Sequence, residues 1–266
     1  MVEPDPTRTF RDVDDGETQR LVAMMDATDA WPAVQAARRW VWERAAVAAG
    51  DLVVDVGAGP GTFGAAAPPG ATVVDVDTSA AMLATARGRH PSASVVEGDV
   101  ASLPIADGSA ALVRAERVLQ WTDDPDAELA ELVRIARPGG LVAVTDTDWG
   151  TFVVDHPDPA AARRLSSAAL GWVPRPEMAR GLPRLLADIG LRGLEVQVHA
   201  AALSSWDPDD PAQRDGPLGL PIRTIALGAP PDDRDRALAD VDDLAAGARR
   251  NRFFASVAMV TVVGRR

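Results

Sequence analysis

Apolar residues along the chain fall into short unbroken runs separated by amphipathic stretches. Residues 52–56 are apolar except for Asp55 and stop at glycines, and a continuous run of this kind predicts a strand buried on both faces. Upstream, residues 31–49 set Trp31, Val34, Arg38, Val41, Trp42 and Ala45 at three- and four-residue steps, which predicts a helix with one buried stripe. The residues before it, to about Thr28, read as a polar lead-in. A second strand is expected over 71–76, then a helix over 79–89 whose Met82, Leu83 and Ala86 share a face and whose start Thr78 or Ser79 can cap. Further strands follow at 93–97 and 110–115. A helix from about 126 to 136 is ended by Pro138, Gly139 and Gly140, and a fifth strand covers 141–145.

Five strands joined by helical crossovers predict a doubly wound α/β fold, with a parallel sheet, right-handed connections and helices on both faces. Residues 151–187 read as helical without a clean strand and are expected to form a lid over the site. The tail offers strands at 194–200 and 254–263 around an acidic helix at 232–249, with a Pro-, Asp- and Gly-rich loop over 206–231. The whole is expected to be one domain: a helical cap (about 1–50), a core (51–150), the lid, and C-terminal strands (188–266) completing a seven-stranded, mostly parallel sheet.

Composition narrows the chemistry. The chain has 266 residues, 47% of them apolar, and a formal net charge of -12, which repels phosphate backbones and makes nucleic acid a poor partner. Cysteine and tyrosine are absent and every basic residue other than histidine is Arg. Disulfides, thiolate metal sites, a Walker lysine, a Schiff base and a phenolic acid or base are thereby removed. No stretch approaches the roughly 18 apolar residues of a membrane span, and a cytoplasmic protein, monomeric or homodimeric, is expected.

The first strand runs into Gly57-Ala58-Gly59-Pro60-Gly61-Thr62, a turn whose missing side chains let backbone N–H groups approach a ligand. A dinucleotide fingerprint would carry its third glycine at 62, where Thr62 stands, which argues against NAD or FAD. Asp77 closes the second strand, placed to accept hydrogen bonds from ribose hydroxyls. After the third strand, Asp99 is placed to take a hydrogen bond from an adenine amino group while Val100 covers the ring. These features describe an adenosine pocket.

Through VVDVGAGPGTFG (53–64), VVDVDTSAAMLATAR (73–87), VVEGDVASLPIADGSAALV (95–113) and RIARPGGLVAV (134–144) the chain resembles the class I S-adenosylmethionine (SAM)-dependent methyltransferases. Through ERVLQW (116–121), DTDW (146–149) and the closing RFFASVAMVTVVG it is similar to bacterial small-molecule members of UbiE/type 11-like kind, many from specialised metabolism. The resemblance implies SAM as cofactor, with S-adenosylhomocysteine as product. It places Asp55, Gly57 and Gly59 at the methionine part, Asp77 at the ribose, and Asp99, Val100 and Met82 at the adenine, with Ala58 and Thr78 among the cofactor-binding residues. Asp75 is taken as a strand-end passenger. Glu116, Arg117 and Gln120 follow the fourth strand, where this fold meets the methionine end of SAM, and Arg117 or Gln120 is placed to bind its carboxylate. Position 121 is often histidine in such proteins and is Trp121 here, so that histidine's role does not carry over.

Methyl transfer from a sulfonium is an in-line displacement that needs alignment and, for a protonated oxygen or nitrogen, a base. His156 and Asp148, both beyond the fifth strand, are the candidate bases; His90 reads as a surface residue and His199 as a partly buried strand residue. Trp121, Trp149 and Trp172 are expected to wall an apolar acceptor site. No His/Asp cluster has metal-ligand spacing. The expected activity is methylation of O, N or C of a small, mostly apolar metabolite. The rivals are a methyltransferase fold that binds SAM as a scaffold or for a non-methylating reaction, and a protein or RNA methyltransferase, the acidic charge lowering the case for RNA.

Overall fold

A computed structural model describes residues 18–91, 93–171, 173–210, 213, 222 and 231–266; Trp172 and most of the loop expected at 206–231 lie outside these. Strands β1 (Leu52–Val56), β2 (Thr72–Asp77), β3 (Ser94–Glu97), β4 (Ala110–Glu116), β5 (Ala136–Val154), β6 (Arg192–Leu203) and β7 (Ala255–Arg265) form one sheet in the order β3-β2-β1-β4-β5-β7-β6. The first five are parallel, and β7 enters antiparallel between β5 and β6. β1 and β4 are buried almost end to end, as strands covered on both faces must be.

Helices α1 (Thr18–Asp29), α2 (Pro32–Ala45), α3 (Ala80–Arg89), α4 (Pro125–Ile135), α5 (Pro159–Ala168), α6 (Met178–Asp188) and α7 (Pro231–Ala248) surround it. Ser79 caps α3 by accepting from Met82 N at 3.1 Å, and Asp124 caps α4 by accepting from Ala127 N. Strand alternation sorts the core. Val53, Leu112, Leu141 and Ala143 meet Trp40 and Val41 of α2 on one face. Val54, Val113, Val142 and Val144 meet α4 and α6 on the other.

Three expectations need correction. The polar lead-in contains α1, which buries Leu21 and Met24 against Met82 of α3; two anchors in twelve residues are too sparse to stand out as a periodicity. Pro138, Gly139 and Gly140 do not separate a helix from a short strand, because β5 starts at Ala136, carries a pairing irregularity there and runs nineteen residues. Residues 151–187 are not a lid: Leu182 and Leu186 of α6 are fully buried under the sheet, and none of the segment's described residues lines the main cavity.

Candidate active site

A cavity of about 700 Å³ opens at the carboxyl ends of β1, β2 and β4, on the α2 face of the sheet, where ligands of doubly wound sheets bind. Its floor is the glycine turn. Gly57 and Gly59 adopt φ of +67° and +54°, and a Cβ on Gly57 would lie 2.3 Å from Val118 Cγ2. Only a residue without a side chain fits that position. Asp77 stabilises the turn, its Oδ2 accepting from Gly59 N at 2.8 Å and its Oδ1 from Ser79 N at 2.9 Å. Asp99 is exposed at the far end and accepts from Ala101 N at 2.8 Å.

Beside the turn lies a buried ionic cluster. Asp55 pairs in register with Asp75 on β2 and with Arg114 on β4, so all three point to the same face. Arg114 donates to Asp55 Oδ1 at 2.6 Å and also pairs with Glu116. Arg38 crosses from α2 to Glu116 (2.7 Å) and to Asp29 (2.8 Å), and Arg117 reaches Asp29 at 2.7 Å. Thr62 donates to the other oxygen of Asp29. Arg117 holds φ at +59°, unusual for a side-chain-bearing residue, with its N–H donated to Thr145 O at 2.7 Å. That backbone turns the guanidinium inward, where Nη1 is buried with no hydrogen-bond partner.

Burial pushes the carboxyls of this cluster up and the arginines pull them down. Burial wins at Asp55, whose carboxyl is raised despite Arg114. At Glu116, Arg114, Arg38 and Arg117 overcome burial and hold the carboxyl well below the usual range. Asp75 has no cation in hydrogen-bond contact; burial, with Asp55 adjacent, raises it to about 7. It is therefore an interior residue of β2, not a strand-end passenger.

The cavity brings together all twelve residues expected around a cofactor: Asp55, Gly57, Ala58 and Gly59; Asp77, Thr78 and Met82; Asp99 and Val100; and Glu116, Arg117 and Gln120. Trp121 and Trp149 line it as well, joined by Trp31, Thr147 and Val257. Trp149 Nε1 donates to Gln120 Oε1 at 3.2 Å. Trp172 lies outside the described residues.

The two candidate bases do not reach it. Asp148 is one residue from Trp149 on an extended strand and so faces the opposite side, where Arg180 of α6 binds both its oxygens at 2.7 and 2.8 Å. Asp146 shares that parity, fully buried with a strongly raised carboxyl. His156 is turned against its own loop, Nδ1 accepting from Asp158 N at 3.0 Å. Neither candidate lines the cavity.

Sequence reasoning missed Asp29, Arg38, Thr62, Arg114 and Thr147 as cavity residues. Two of them left a signal. Arg38 sits on the apolar stripe of its helix and Arg114 inside an apolar strand, and a cation in such a position requires buried acids nearby. Among the described residues no group of three or more His, Cys, Asp and Glu is arranged to hold a metal ion, and no helix is long and apolar enough to cross a membrane.

A family model described as a methyltransferase domain matches residues 54–144. The chain is 32% identical over 254 residues to an uncharacterized 37.1 kDa protein in transposon TN4556 of Streptomyces fradiae, covering 90% of this chain and 65% of that protein's length. It is 32% identical over 169 residues to demethylmenaquinone methyltransferase of Renibacterium salmoninarum, covering 58% of this chain and 71% of the relative. With trans-aconitate 2-methyltransferase of Methylobacterium radiotolerans it shares 31% identity over 220 residues, covering 70% and 82%. Two solved structures share the fold. Bacillus YcgJ protein has a TM-score of 0.60 at 15% identity, covering 87% of this chain and 99% of its own. Phosphoethanolamine N-methyltransferase 2 of Haemonchus contortus, in complex with SAM, has a TM-score of 0.57 at 17% identity, covering 97% and 60%.

Proposed function

Because this chain belongs to the class I SAM-dependent methyltransferases, we propose that it transfers a methyl group to oxygen, nitrogen or carbon of a small, mostly apolar metabolite. The observation that carries this reading is the junction of two chemically distinct halves in one cavity. One half is the glycine turn with Asp77 and the Arg117 cluster. The other is an aromatic wall of Trp31, Trp121 and Trp149. The relatives named for demethylmenaquinone and trans-aconitate support a small-molecule acceptor.

The residues fit SAM. The turn at Gly57 and Gly59 has no side chain to exclude a ligand, Asp77 presents a carboxylate already fixed by two backbone N–H groups, and the buried, unpartnered Nη1 of Arg117 suits a carboxylate. When bound, SAM supplies an electrophilic methyl group. The protein's part is to hold the acceptor in line with it and keep water out, and alignment of that kind provides much of the rate in bimolecular displacements. Trp149 and Trp121 supply flat apolar surface for the acceptor body. Arg38, Arg114 and Arg117 offset the buried acids below.

Calorimetric titration with SAM and with S-adenosylhomocysteine tests the reading. The wild-type chain is expected to bind both, and Asp77→Ala to weaken both by roughly tenfold to a hundredfold, the loss for a hydrogen bond to a charged group. Absence of binding by the wild type removes the cofactor and the activity with it.

A further inference from the structure

We propose that two copies of this chain associate edge to edge along β6, the strands pairing antiparallel about a twofold axis through Val198. The edge itself and the polar groups it carries both point to a second copy as the occupant.

The two edges of the sheet are built differently. β3 ends one side with four residues, Ser94–Glu97, and an edge strand that short gives another chain little to pair with. β6 ends the other with twelve residues and pairs with β7 without irregularity from Glu195 to Leu203. From Val196 to Leu203 it carries no Pro, Asp, Glu, Lys or Arg, the residues by which proteins blunt an edge. Its outward N–H and C=O groups are therefore open to another strand. Alternation along β6 is also inverted. Glu195, Gln197 and His199 face the side covered by α2, where Arg44 reaches Glu195 at 2.9 Å, and the opposite face presents Val196, Val198, Ala200 and Ala202 to solvent. Val198 is 60% exposed and Val196 49%, where a half-covered strand ordinarily turns its polar residues outward.

On the covered face, Gln197 Oε1 and His199 Nε2 are buried with no hydrogen-bond partner among the described residues, a costly state for either. They stand two residues apart on one strand and face the same way. Burial, with Arg39 nearby, holds the imidazole below its ordinary pKa, so at neutral pH it is uncharged and Nε2 can carry its one proton. A twofold axis passing between them at Val198 brings this donor and this acceptor together. Gln197 of each copy then stands opposite His199 of the other, with Cβ atoms about 5 Å apart, and each Nε2–H donates to an Oε1. On the open face Val198 meets its own copy and Val196 meets Ala200, closing an apolar stripe across the junction. One strand is thus complementary to itself, as an isologous dimer requires. An axis shifted by one residue to Gln197 would set two amides against each other and His199 against Glu195, which Arg44 already holds. The register is thereby specified.

The test uses the full chain. Sedimentation velocity at concentrations up to about 100 µM should show a species of twice the subunit mass. Val198→Lys, at an exposed position, should keep the thermal melt of the wild type and raise the dimer dissociation constant at least about tenfold, since like charges set opposite each other disfavour pairing. Because the chain has no cysteine, a single introduced thiol reports the register. Val198→Cys should cross-link to a covalent dimer under mild oxidation, its two Cα atoms falling within disulfide reach. Val196→Cys, with its two copies roughly 13 Å apart along the strands, should not. This pair decides the outcome should Val198→Lys fail to fold. A monomer throughout the concentration range, a dimer that Val198→Lys leaves intact, or cross-linking of Val196→Cys as readily as Val198→Cys would each overturn the proposal.

Discussion

Asp75 is the side chain of the site whose protonation follows pH near neutrality. Burial and the charge of Asp55 lift its pKa to about 7, so the folded protein keeps a proton that the unfolded chain releases near the ordinary aspartate value of about 4. Folding is therefore penalised increasingly as pH rises from about 4 to about 7, and by a constant amount above. The rise from about 4 to about 7 bounds the penalty at roughly 4 kcal/mol. Asp75→Asn should accordingly be more stable than wild type at pH 8, with the gap shrinking towards pH 5, as read by urea denaturation at both values. If the gap is the same at both pH values, the raised pKa is refuted. Gly57→Ala tests the floor of the cavity: its Cβ would collide with Val118 Cγ2 at 2.3 Å, in a left-handed conformation. Overpacking and strain of this sort cost about 1–3 kcal/mol each, and SAM binding should be lost in calorimetry while the circular dichroism stays that of a folded α/β protein.

Among the elements, α1 stands apart. It contributes Met24, Met25, Thr28 and Asp29 to the cavity lining, yet its own apolar anchorage is confined to a small cluster with Met82. Ion pairs complete the attachment: Asp29 to Arg38 and Arg117 inside, and Asp26 to Arg89 at the surface (2.7 Å). Since exposed pairs contribute little, the inner contacts carry most of the hold. Asp29→Ala should speed amide hydrogen exchange across residues 18–29 by about tenfold, equivalent to roughly 1.4 kcal/mol of local opening, and leave β1, β4 and β5 unchanged. Uniform acceleration across the sheet would show instead that Asp29 supports the whole fold. Little of this was legible in the sequence, because a helix held by two apolar contacts and a set of ion pairs has a weak periodicity. By contrast, β1, β4 and α3 could be read closely: their apolar runs and the Ser79 cap are local signals that tertiary packing reinforces.

Across the molecule as a whole, parity along β5 decides which chemistry reaches the cavity. The sequence placed both Asp148 and Trp149 at the mouth of the site, but neighbours on an extended strand face opposite ways. Trp149 points to the cavity, and Asp148 to Arg180 on the other side of the sheet. The glycine turn and the acids after β2 and β3 were legible because backbone geometry fixes them locally; a base reached across space was not. Asp148→Asn and His156→Asn are thus expected to keep methyl transfer within about twofold of wild type in a S-adenosylhomocysteine release assay. A drop of a hundredfold in either, with fold and SAM binding intact, would return that residue to the chemistry.

Asp29, Asp55 and Glu116 face Arg38, Arg114 and Arg117 in a buried set of equal and opposite formal charges. Removing one of the three deepest partners, Asp55, Arg114 or Glu116, costs about 3–5 kcal/mol, comparable to much of a domain's net stability, whereas at Asp29, where the set meets α1, the loss is local. Descent with modification is constrained accordingly: single replacements at those three are close to lethal for the fold, whereas compensated pairs are passable. The six positions should drift through history as a linked unit, and an engineer grafting this cavity onto another scaffold has to move all six together.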